Sequence, residues 1–184
     1  MKYLFLNLLL CSIAGAATEV YFSPSNECEN RIAKAIENSK TEIVAAVYSV
    51  NNWKIVEALE AARKRGVKVR LLTDSLQAAG KGSKVPAMVA GGMDVRVHTK
   101  FKIEHNKFGI YDGTLVSTGS FNWTGAAARS NSENCIFIDE APVIAKFQER
   151  FDFLWEKNTA EGSRAKLSNL LARQAQRANS SGRN

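Results

Sequence analysis

Apolar and polar positions divide the first half of the chain into strands and helices that alternate. Residues 41–50 form a nearly continuous apolar run, which is typical of a strand buried on both faces. The other predicted elements are strands at 19–22, 67–73 and 94–98 and helices at about 26–39, 51–64 and 85–90. This order predicts helices on both faces of a largely parallel sheet.

The pattern changes after about residue 103. Three short strands follow closely, at 107–112, 114–120 and 133–139, before an amphipathic helix over about 141–157. The predicted fold class is therefore α/β, with a mixed, largely parallel β-sheet sandwiched between helices. Residues 159–178 can add another helix, because their leucines fall on one side of it.

The first 17 residues have the pattern of a secretory signal peptide. Lys2 precedes a short apolar stretch, and small residues then provide an Ala-x-Ala cleavage site. The alternative is a membrane anchor, but the apolar run from residue 3 to residue 17 has 15 residues, and a spanning helix needs roughly 20. We predict a cleaved signal at 1–17, one domain at 18–158, a tail at 159–184, and a periplasmic or secreted location.

Two cysteines, Cys28 and Cys135, remain after removal of the predicted signal. They can pair in an oxidising compartment, and their even number is compatible with a disulfide. The number of cysteines says little about geometry, and two buried free thiols are the alternative that we slightly favour. The pairing stays open at this point.

Positive charge is concentrated at the carboxyl end of the chain. The formal net charge is +7, and residues 157–184 contribute +5 of it, from six lysines and arginines against Glu161. A charged extension of this kind often meets a polyanion, and a solubilising tail without a partner is the alternative. The basic tail is therefore a candidate contact for nucleic acid.

The residues of greatest chemical interest lie on a predicted hairpin. Asp112-Gly113 stands between two apolar runs and is a strong signal for a two-residue turn. The cross-strand pairs expected from that turn are Tyr111 with Thr114, Lys107 with Thr118, and His105 with Ser120. Because side chains alternate along a strand, this register places on one face His105, Lys107, Thr118, Ser120 and Asn122.

That face combines an imidazole, an ammonium, two hydroxyls and an amide, which suits a phosphodiester. Lys107 supplies positive charge, and the hydroxyl and amide donors can hold the non-bridging oxygens. A neutral imidazole can attack phosphorus and form a covalent intermediate. The sequence has two histidines and lacks the motifs of zinc and two-metal sites, so we predict no metal and no other cofactor.

Basic residues surround this motif: Lys81, Lys84, Arg96, Lys100 and Lys102. A basic surface beside a catalytic face suits a polyanionic backbone. Three aromatic side chains could stack on bases, although packing in the core is the default for such residues: Trp53, Phe121 and Trp123.

His105, Lys107 and Asp112, followed after six intervening residues by Gly119-Ser120, resemble the signature of the phospholipase D superfamily. The segments 119–124 and 132–134 are more specifically similar to the small bacterial endonucleases of that superfamily. The likeness covers about residues 19–157. It implies a phospholipase D-like fold and a metal-independent phosphodiesterase.

The resemblance also implies a role for each matching residue. The expected roles are nucleophile for His105, phosphate binding for Lys107, Ser120 and Asn122, and orientation of the imidazole by a hydrogen bond for Glu133. Asp112 belongs to the catalytic signature, but its position at the turn favours a structural role.

Members of this superfamily use two such motifs in each active site, and this chain has one. His98 is the other histidine, but it lacks the downstream Asp and Gly-Ser, so we expect a strand-end residue rather than a catalyst. A symmetric homodimer, in which two His105 side chains face each other, supplies the second motif.

These observations predict an endonuclease that cleaves DNA, RNA or both through a phosphohistidine intermediate. One alternative keeps the chemistry and changes the substrate to phospholipid head groups. A second alternative is a non-catalytic periplasmic protein that binds or takes up nucleic acid. The expected partners are nucleic acid and a second copy of the chain, with no obligatory membrane partner after signal cleavage.

Overall fold

The structure is a computed structural model that describes residues 17–181, so the predicted signal peptide lies outside the described residues except for Ala17. Its strands are β1 (Thr18–Ser23), β2 (Glu42–Val47), β3 (Lys68–Thr73), β4 (Asp94–Val97), β5 (Lys107–Tyr111), β6 (Leu115–Gly119) and β7 (Glu133–Ile138). Its helices are α1 (Glu27–Asn38), α2 (Trp53–Lys64), α3 (Ser75–Ala79), α4 (Val85–Ala90), α5 (Gly125–Arg129), α6 (Ala141–Lys157) and α7 (Ala160–Ser181). Every predicted strand and helix is present, and the short helices α3 and α5 are additional.

The strands form one mixed sheet in the order β1-β7-β6-β5-β2-β3-β4. The pairs β2–β3 and β3–β4 are parallel, whereas the other four neighbouring pairs are antiparallel. The mixed sheet is confirmed, but the term "largely parallel" describes only its β2–β3–β4 part. β5 and β6 are joined by a three-residue connection, which permits antiparallel pairing only.

Alternation along the strands gives the sheet two apolar faces, each covered by helices. Ile43, Ala45 and Val47 of β2 face the cluster formed with α1, α2, α3, α4, α5 and α7, while Val44 and Ala46 face the cluster formed with α6. The sheet is therefore sandwiched between helices, as predicted. Its central strand β2 is buried on both faces, which explains the nearly continuous apolar run at 41–50.

A disulfide joins Cys28 in α1 to Cys135 in β7, with a Cα–Cα distance of 5.9 Å. Both cysteines are buried, and α1 packs over the part of the sheet where β1 and β7 pair. The pairing that the sequence left open is thus present, and the two free thiols that it slightly favoured are not.

The helix α7 is docked on the domain rather than free of it. Leu167 is buried, and Leu170 and Leu171 pack against the same core cluster as α1 and α2. The Ser163 hydroxyl accepts a hydrogen bond from the Val97 amide at 2.6 Å. Within residues 17–181 no helix, α7 included, is both long and apolar enough to cross a membrane.

Candidate active site

Strand direction brings the predicted site residues to one edge of the sheet. The carboxyl ends of β2, β3 and β6 lie at the same edge as the amino ends of β5 and β7. Tyr48 and Asp74 directly follow β2 and β3, Ser120 directly follows β6, and Lys107 and Glu133 begin β5 and β7. Polar side chains distant in sequence therefore meet where five strands end.

His105 is exposed at this edge, and Lys107 is its polar neighbour. The Lys107 Nζ lies 3.0 Å from His105 Nδ1 and donates a hydrogen bond of 2.7 Å to the His105 carbonyl oxygen. A lysine ammonium has donors only, so Nδ1 accepts in this contact and the ring proton lies on Nε2. The two residues at the centre of the predicted motif are thus in direct contact.

Lys107 is partly buried. Burial lowers the pKa of Lys107 below its ordinary value, and the negative charges of Glu133 and Glu104 oppose that effect in part. Both carboxylates are therefore close enough to act on the ammonium electrostatically. A phosphate bound beside Lys107 would be held by the same positive charge.

The hairpin register differs by one residue from the predicted one. Asp112 and Gly113 form the turn with φ values of 51° and 65°, and the Thr114 amide donates to the Tyr111 carbonyl at 3.0 Å. The ladder, however, pairs Tyr111 with Leu115, so Thr114 is an extra residue beside the turn. The predicted opposition of Lys107 with Thr118 and of His105 with Ser120 is wrong for this reason.

Ser120 reaches the site because the chain leaves the ladder at Gly119. Gly119 has a φ of 137°, and a Cβ there would lie 2.4 Å from the Asn134 carbonyl oxygen, so this position requires glycine. The Ser120 amide donates to that same carbonyl oxygen at 3.1 Å, and the Ser120 hydroxyl donates to Glu133 Oε2 at 2.5 Å. Glu133 is thus anchored by the serine of the Gly-Ser motif.

Within the described residues Glu133 does not accept the predicted hydrogen bond from the His105 imidazole. One Glu133 oxygen accepts from Ser120 Oγ, and the other accepts from Asn131 Nδ2 at 2.9 Å. Glu133 nevertheless shares the site, because its charge acts on Lys107.

Asn122 carries unused hydrogen-bonding capacity. Its Oδ1 is buried and has no hydrogen-bond partner within residues 17–181. Leaving a buried polar atom unpaired costs about 1–3 kcal/mol.

Asp112 lies at the opposite end of β5 from Lys107, away from the other site residues. Its carboxylate accepts hydrogen bonds of 2.8 to 3.0 Å from the amides of Lys40, Thr41 and Glu42 and from the Thr41 hydroxyl. Burial would raise the pKa of Asp112, but these hydrogen bonds outweigh it and hold the pKa below its usual value. The structure thus gives Asp112 the structural position that its place at the turn indicated.

Tyr48 belongs to the site and was not predicted from the sequence. Its ring centroid lies 4.6 Å from that of His105, and Lys107 Nζ lies 5.1 Å from the ring centroid. Gln77 Nε2 donates to the Tyr48 hydroxyl at 3.0 Å and fixes the ring. The available signal was a tyrosine at the end of an apolar strand, where side chains meet the edge of a sheet.

A buried polar network holds the segment that leads to His105. Asp74 Oδ1 caps α3 by accepting from the Leu76 and Gln77 amides, at 2.9 and 3.0 Å. Asp74 Oδ2 accepts from the Glu104 amide at 3.2 Å and lies 3.3 Å from His98 Nδ1. Asp74, His98 and Glu104 are at most 2% exposed, so water does not replace these contacts.

His98 is a structural residue, as predicted. Its Nδ1 accepts from the Ser75 amide at 3.2 Å, and its Nε2 lies 2.9 Å from the Phe101 carbonyl oxygen. Both ring nitrogens are therefore engaged at the start of the 98–106 segment. Glu104 anchors the other end, because its Oε1 accepts from the Asn106 amide at 3.1 Å.

The structure separates the surface residues that the sequence grouped together. Arg96 caps the end of α6 by donating to the Trp155 and Asn158 carbonyl oxygens, at 3.0 and 3.1 Å, and is not part of an open basic surface. Phe121 and Trp123 are core residues. Trp53, by contrast, is 58% exposed, with Lys84 Nζ 4.7 Å from its ring centroid.

Metal-ligating side chains do not cluster in the described part of the chain. Between residues 17 and 181 there is no group of three or more His, Cys, Asp and Glu side chains arranged to hold a metal ion.

Comparison with known proteins places this site in a family. Residues 32–155, more than half of the chain, match the family model described as "Cardiolipin synthase, PLD-like domain". The crystal structure of Nuc from Salmonella typhimurium, a phospholipase D family member, has a TM-score of 0.73 and 33% sequence identity. The match covers 78% of this chain and 97% of that chain.

Curated relatives carry lipid-related names. A mitochondrial cardiolipin hydrolase from Xenopus laevis is 30% identical over 149 residues, which cover 76% of this chain and 71% of that protein. A phospholipase D from Rickettsia felis is 35% identical over 130 residues, which cover 71% of this chain and 65% of that protein. The match spans only 49% of the length of another cardiolipin hydrolase, from Chlamydomonas reinhardtii.

Proposed function

Because the chain belongs to the phospholipase D superfamily, we propose that it is an endonuclease that cleaves DNA or RNA without a bound metal ion. Its family membership makes it a phosphodiester hydrolase, and the substrate and mechanism are the proposal. The observation that carries it is the exposed His105 imidazole, with the Lys107 ammonium 3.0 Å from its ring, on an edge where Ser120 and Glu133 also meet.

In the first step, His105 Nε2 attacks phosphorus. The nitrogen lone pair forms an N–P bond, the bond from phosphorus to the leaving oxygen breaks, and that oxygen takes a proton from a general acid. Lys107 and Asn122 hold the non-bridging oxygens, whose charge Lys107 offsets, and Ser120 joins them when its single hydroxyl proton turns from Glu133 Oε2 to the phosphate. Water then attacks phosphorus and gives a proton to the group that acted as the acid, the N–P bond breaks, and the phosphate monoester product is released.

This attack requires the other imidazole tautomer. Nε2 is a nucleophile only when the proton lies on Nδ1, whereas the contact with Lys107 places it on Nε2. An incoming phosphate attracts the Lys107 ammonium away from the ring, and Glu133 is the nearby carboxylate that can accept a hydrogen bond from Nδ1–H. The role that the resemblance implies for Glu133 therefore belongs to the substrate-bound enzyme.

The general acid is the His105 imidazolium of a second copy. The chain has two histidines, and His98 is buried with both ring nitrogens engaged. One imidazole cannot be neutral for attack and protonated for donation at the same time. A two-fold homodimer that brings two His105 side chains together divides these roles.

Surface features support nucleic acid as the substrate. Trp53 is exposed at the same end of the sheet as His105, since α2 begins five residues after Tyr48, and Lys84 lies beside its ring. An exposed aromatic ring next to cations suits a stacked base and its phosphate. The net charge of +7 favours a polyanion as well.

Phospholipid is the second candidate substrate. Phe101 and Ile103, in the segment that leads to His105, are 42% and 46% exposed. Apolar side chains beside Lys100 and Lys102 suit the boundary between head groups and acyl chains. The names of the frog and Rickettsia relatives point in the same direction.

A substrate panel in excess EDTA separates these candidates. Purified protein without residues 1–17 is incubated with plasmid, single-stranded DNA, RNA, and vesicles of phosphatidylcholine with and without cardiolipin. We expect nucleic-acid cleavage to persist in EDTA, because Lys107 supplies the positive charge at the phosphate. Loss of cleavage in EDTA with rescue by Mg²⁺ would contradict the mechanism, and cleavage of lipid alone would select the second candidate.

Asp74→Asn is expected to lower kcat by about 10- to 100-fold with little change in KM. Asparagine keeps the oxygen that caps α3, but its amide group faces the Glu104 N–H, so the 98–106 segment loses an anchor. The matched control is Asp94→Asn, whose carboxylate is half exposed and 3.9 Å from Arg96. Steady-state kinetics at a temperature where both variants are folded measures the effect. Wild-type kcat in Asp74→Asn would show that the network does not position His105.

The periplasm or the extracellular medium remains the proposed location. The Cys28–Cys135 disulfide supports it, since disulfides persist in oxidising compartments. Sequencing of the mature amino terminus tests it, and a protein that retains Met1 would contradict cleavage.

A further inference from the structure

A basic cleft lies between α7 and the segment that follows β4, and it encloses about 540 Å³. Four cationic side chains line it: Lys100, Lys157, Lys166 and Arg173. The described residues that form its walls include no carboxylate, and Leu170 is the one large apolar side chain among them. The cleft is therefore a concave region of concentrated positive charge, which raises the local concentration of anions.

The walls of this cleft are held by buried contacts. Lys166 Nζ donates to the His98 carbonyl oxygen at 3.0 Å, which leaves two of its N–H groups for a ligand. The Thr99 amide donates to Asn158 Oδ1 at 2.7 Å, and Asn158 is fully buried. The cationic groups are thus presented by a fixed surface rather than by a mobile tail.

The cleft and the active site share one edge of the sheet. Lys100 follows the carboxyl end of β4, and β4 is three positions from β5 in the sheet order. Neighbouring strands lie roughly 4.8 Å apart, so β4 and β5 themselves are separated by about 14 Å. Phosphates recur about every 3.4 Å along one strand of duplex DNA, and about four nucleotides cover that distance.

We propose that this cleft is a second phosphate-binding site, which holds the nucleic-acid backbone about four or more nucleotides from the bond that is cleaved. The proposal rests on nucleic acid being the substrate. Residues 160–181 form α7, and the family match ends at residue 155, so the α7 wall of this site lies outside the matched range while Lys100 lies within it. The predicted basic tail is thus the docked helix α7, and it extends the surface along which the nucleic acid binds.

A backbone phosphate suits the cleft better than a membrane surface does. Membrane-bound helices present a broad apolar face with cations on its flanks. Here the apolar side chains Leu167, Leu170 and Leu171 are engaged with the core, and the cations point into a concave space.

The test compares two double variants with equal changes in charge. Lys157→Gln with Arg173→Gln removes two cations from the cleft. Lys64→Gln with Arg164→Gln removes two exposed cations outside it, one of them on α7 itself. Lys166 is left intact because it also holds His98. Truncation of α7 is unsuitable because it would expose the core around Leu167.

Binding is measured by fluorescence anisotropy with labelled oligonucleotides of graded length, over a range of salt concentrations, in a His105→Ala background. Log K falls as log salt rises, so the slope is negative. For long oligonucleotides, the cleft variant is expected to have a shallower slope, by about 1.4 for single strands and 1.8 for duplexes. The control variant is expected to change it much less. In the enzyme with intact His105, kcat/KM for long substrates falls in parallel, and the loss shrinks as the substrate becomes too short to span both sites.

Failure of this proposal can be distinguished from failure of the proposed function. If wild-type protein cleaves nucleic acid and the two variants behave alike, the cleft proposal is overturned and the function stands. If the wild type binds oligonucleotides through the cleft without cleaving them, the cleft stands and the function fails. If the cleft variant loses binding to cardiolipin vesicles and keeps its affinity for oligonucleotides, the ligand of the cleft is lipid and the proposal is overturned.

Discussion

Replacing His105 with alanine is expected to lower turnover by about 10³-fold or more, with nucleic-acid affinity within a few-fold of the wild-type value. The imidazole supplies the attacking nitrogen, so its loss removes the covalent step entirely. Affinity persists because it comes from Lys107 and from cations away from the reacting phosphorus. Steady-state cleavage and anisotropy measurements on the same preparation separate the two effects.

The same experiment includes a direct search for the intermediate. Wild-type protein quenched during turnover of substrates labelled at one end or the other should carry on His105 the fragment that keeps the phosphate, through an N–P bond that is stable to base and labile to acid. The alanine variant should carry none while melting at the wild-type temperature, since His105 is exposed and contributes little to the core. A variant that keeps more than a trace of activity would refute the assignment of His105 as nucleophile.

Refolding His105→Ala together with wild-type protein is expected to suppress wild-type activity. When nine parts of His105→Ala and one part of wild-type protein are unfolded and refolded together, about one tenth of the wild-type chains pair with another wild-type chain. A heterodimer has one imidazole where two are needed, so specific activity per wild-type chain should fall about tenfold. The pH–rate profile of the wild type should be bell-shaped, with apparent pKa values that belong to the coupled pair.

Mixing without refolding is the control for subunit exchange and should leave wild-type activity unchanged. Sedimentation at assay concentration is the independent measurement. A fully active monomer would contradict the shared site, and His98 would be a poor replacement because it is 1% exposed with both ring nitrogens engaged. In that case the acid would have to be a group other than histidine, since the chain has no third one.

The order of elements was predictable because each follows from a local pattern. The run at 41–50 is apolar throughout because β2 is central and covered on both faces, and Asn52 caps α2 by accepting from the Ile55 amide at 3.2 Å. Strand direction was less predictable. The antiparallel pairing of β2 with β5 joins segments about 60 residues apart, and neither strand indicates its partner.

The identity of the site residues was more predictable than their geometry. His105 and Lys107 do meet. The predicted register, which places Ser120 opposite His105, is wrong because the extra residue Thr114 shifts the ladder by one position. Ser120 reaches the site by another route, through the glycine-only conformation of Gly119. A turn signal predicts where the chain reverses, but it does not fix the pairing beyond the turn.

Tyr48 and Asp74 were missed because their roles arise from tertiary packing. Each stands just after an apolar strand, and a polar residue there also marks an ordinary strand end. Only the convergence of five strand ends at one edge places them near His105. The two cysteines were ambiguous for the same reason, because α1 meets β7 only after the sheet has formed.

The pairing of the first strand with the last strand has a consequence for biosynthesis. β1 pairs along its whole length with β7, and the disulfide links residues separated by 107 positions. While the ribosome is still making the intervening chain, β1 has no β7 to pair with and Cys28 cannot meet Cys135. Glu133, at the start of β7, arrives only at the end of that interval. The nascent chain therefore cannot assemble this site, or cleave a phosphodiester, before β7 has been synthesised.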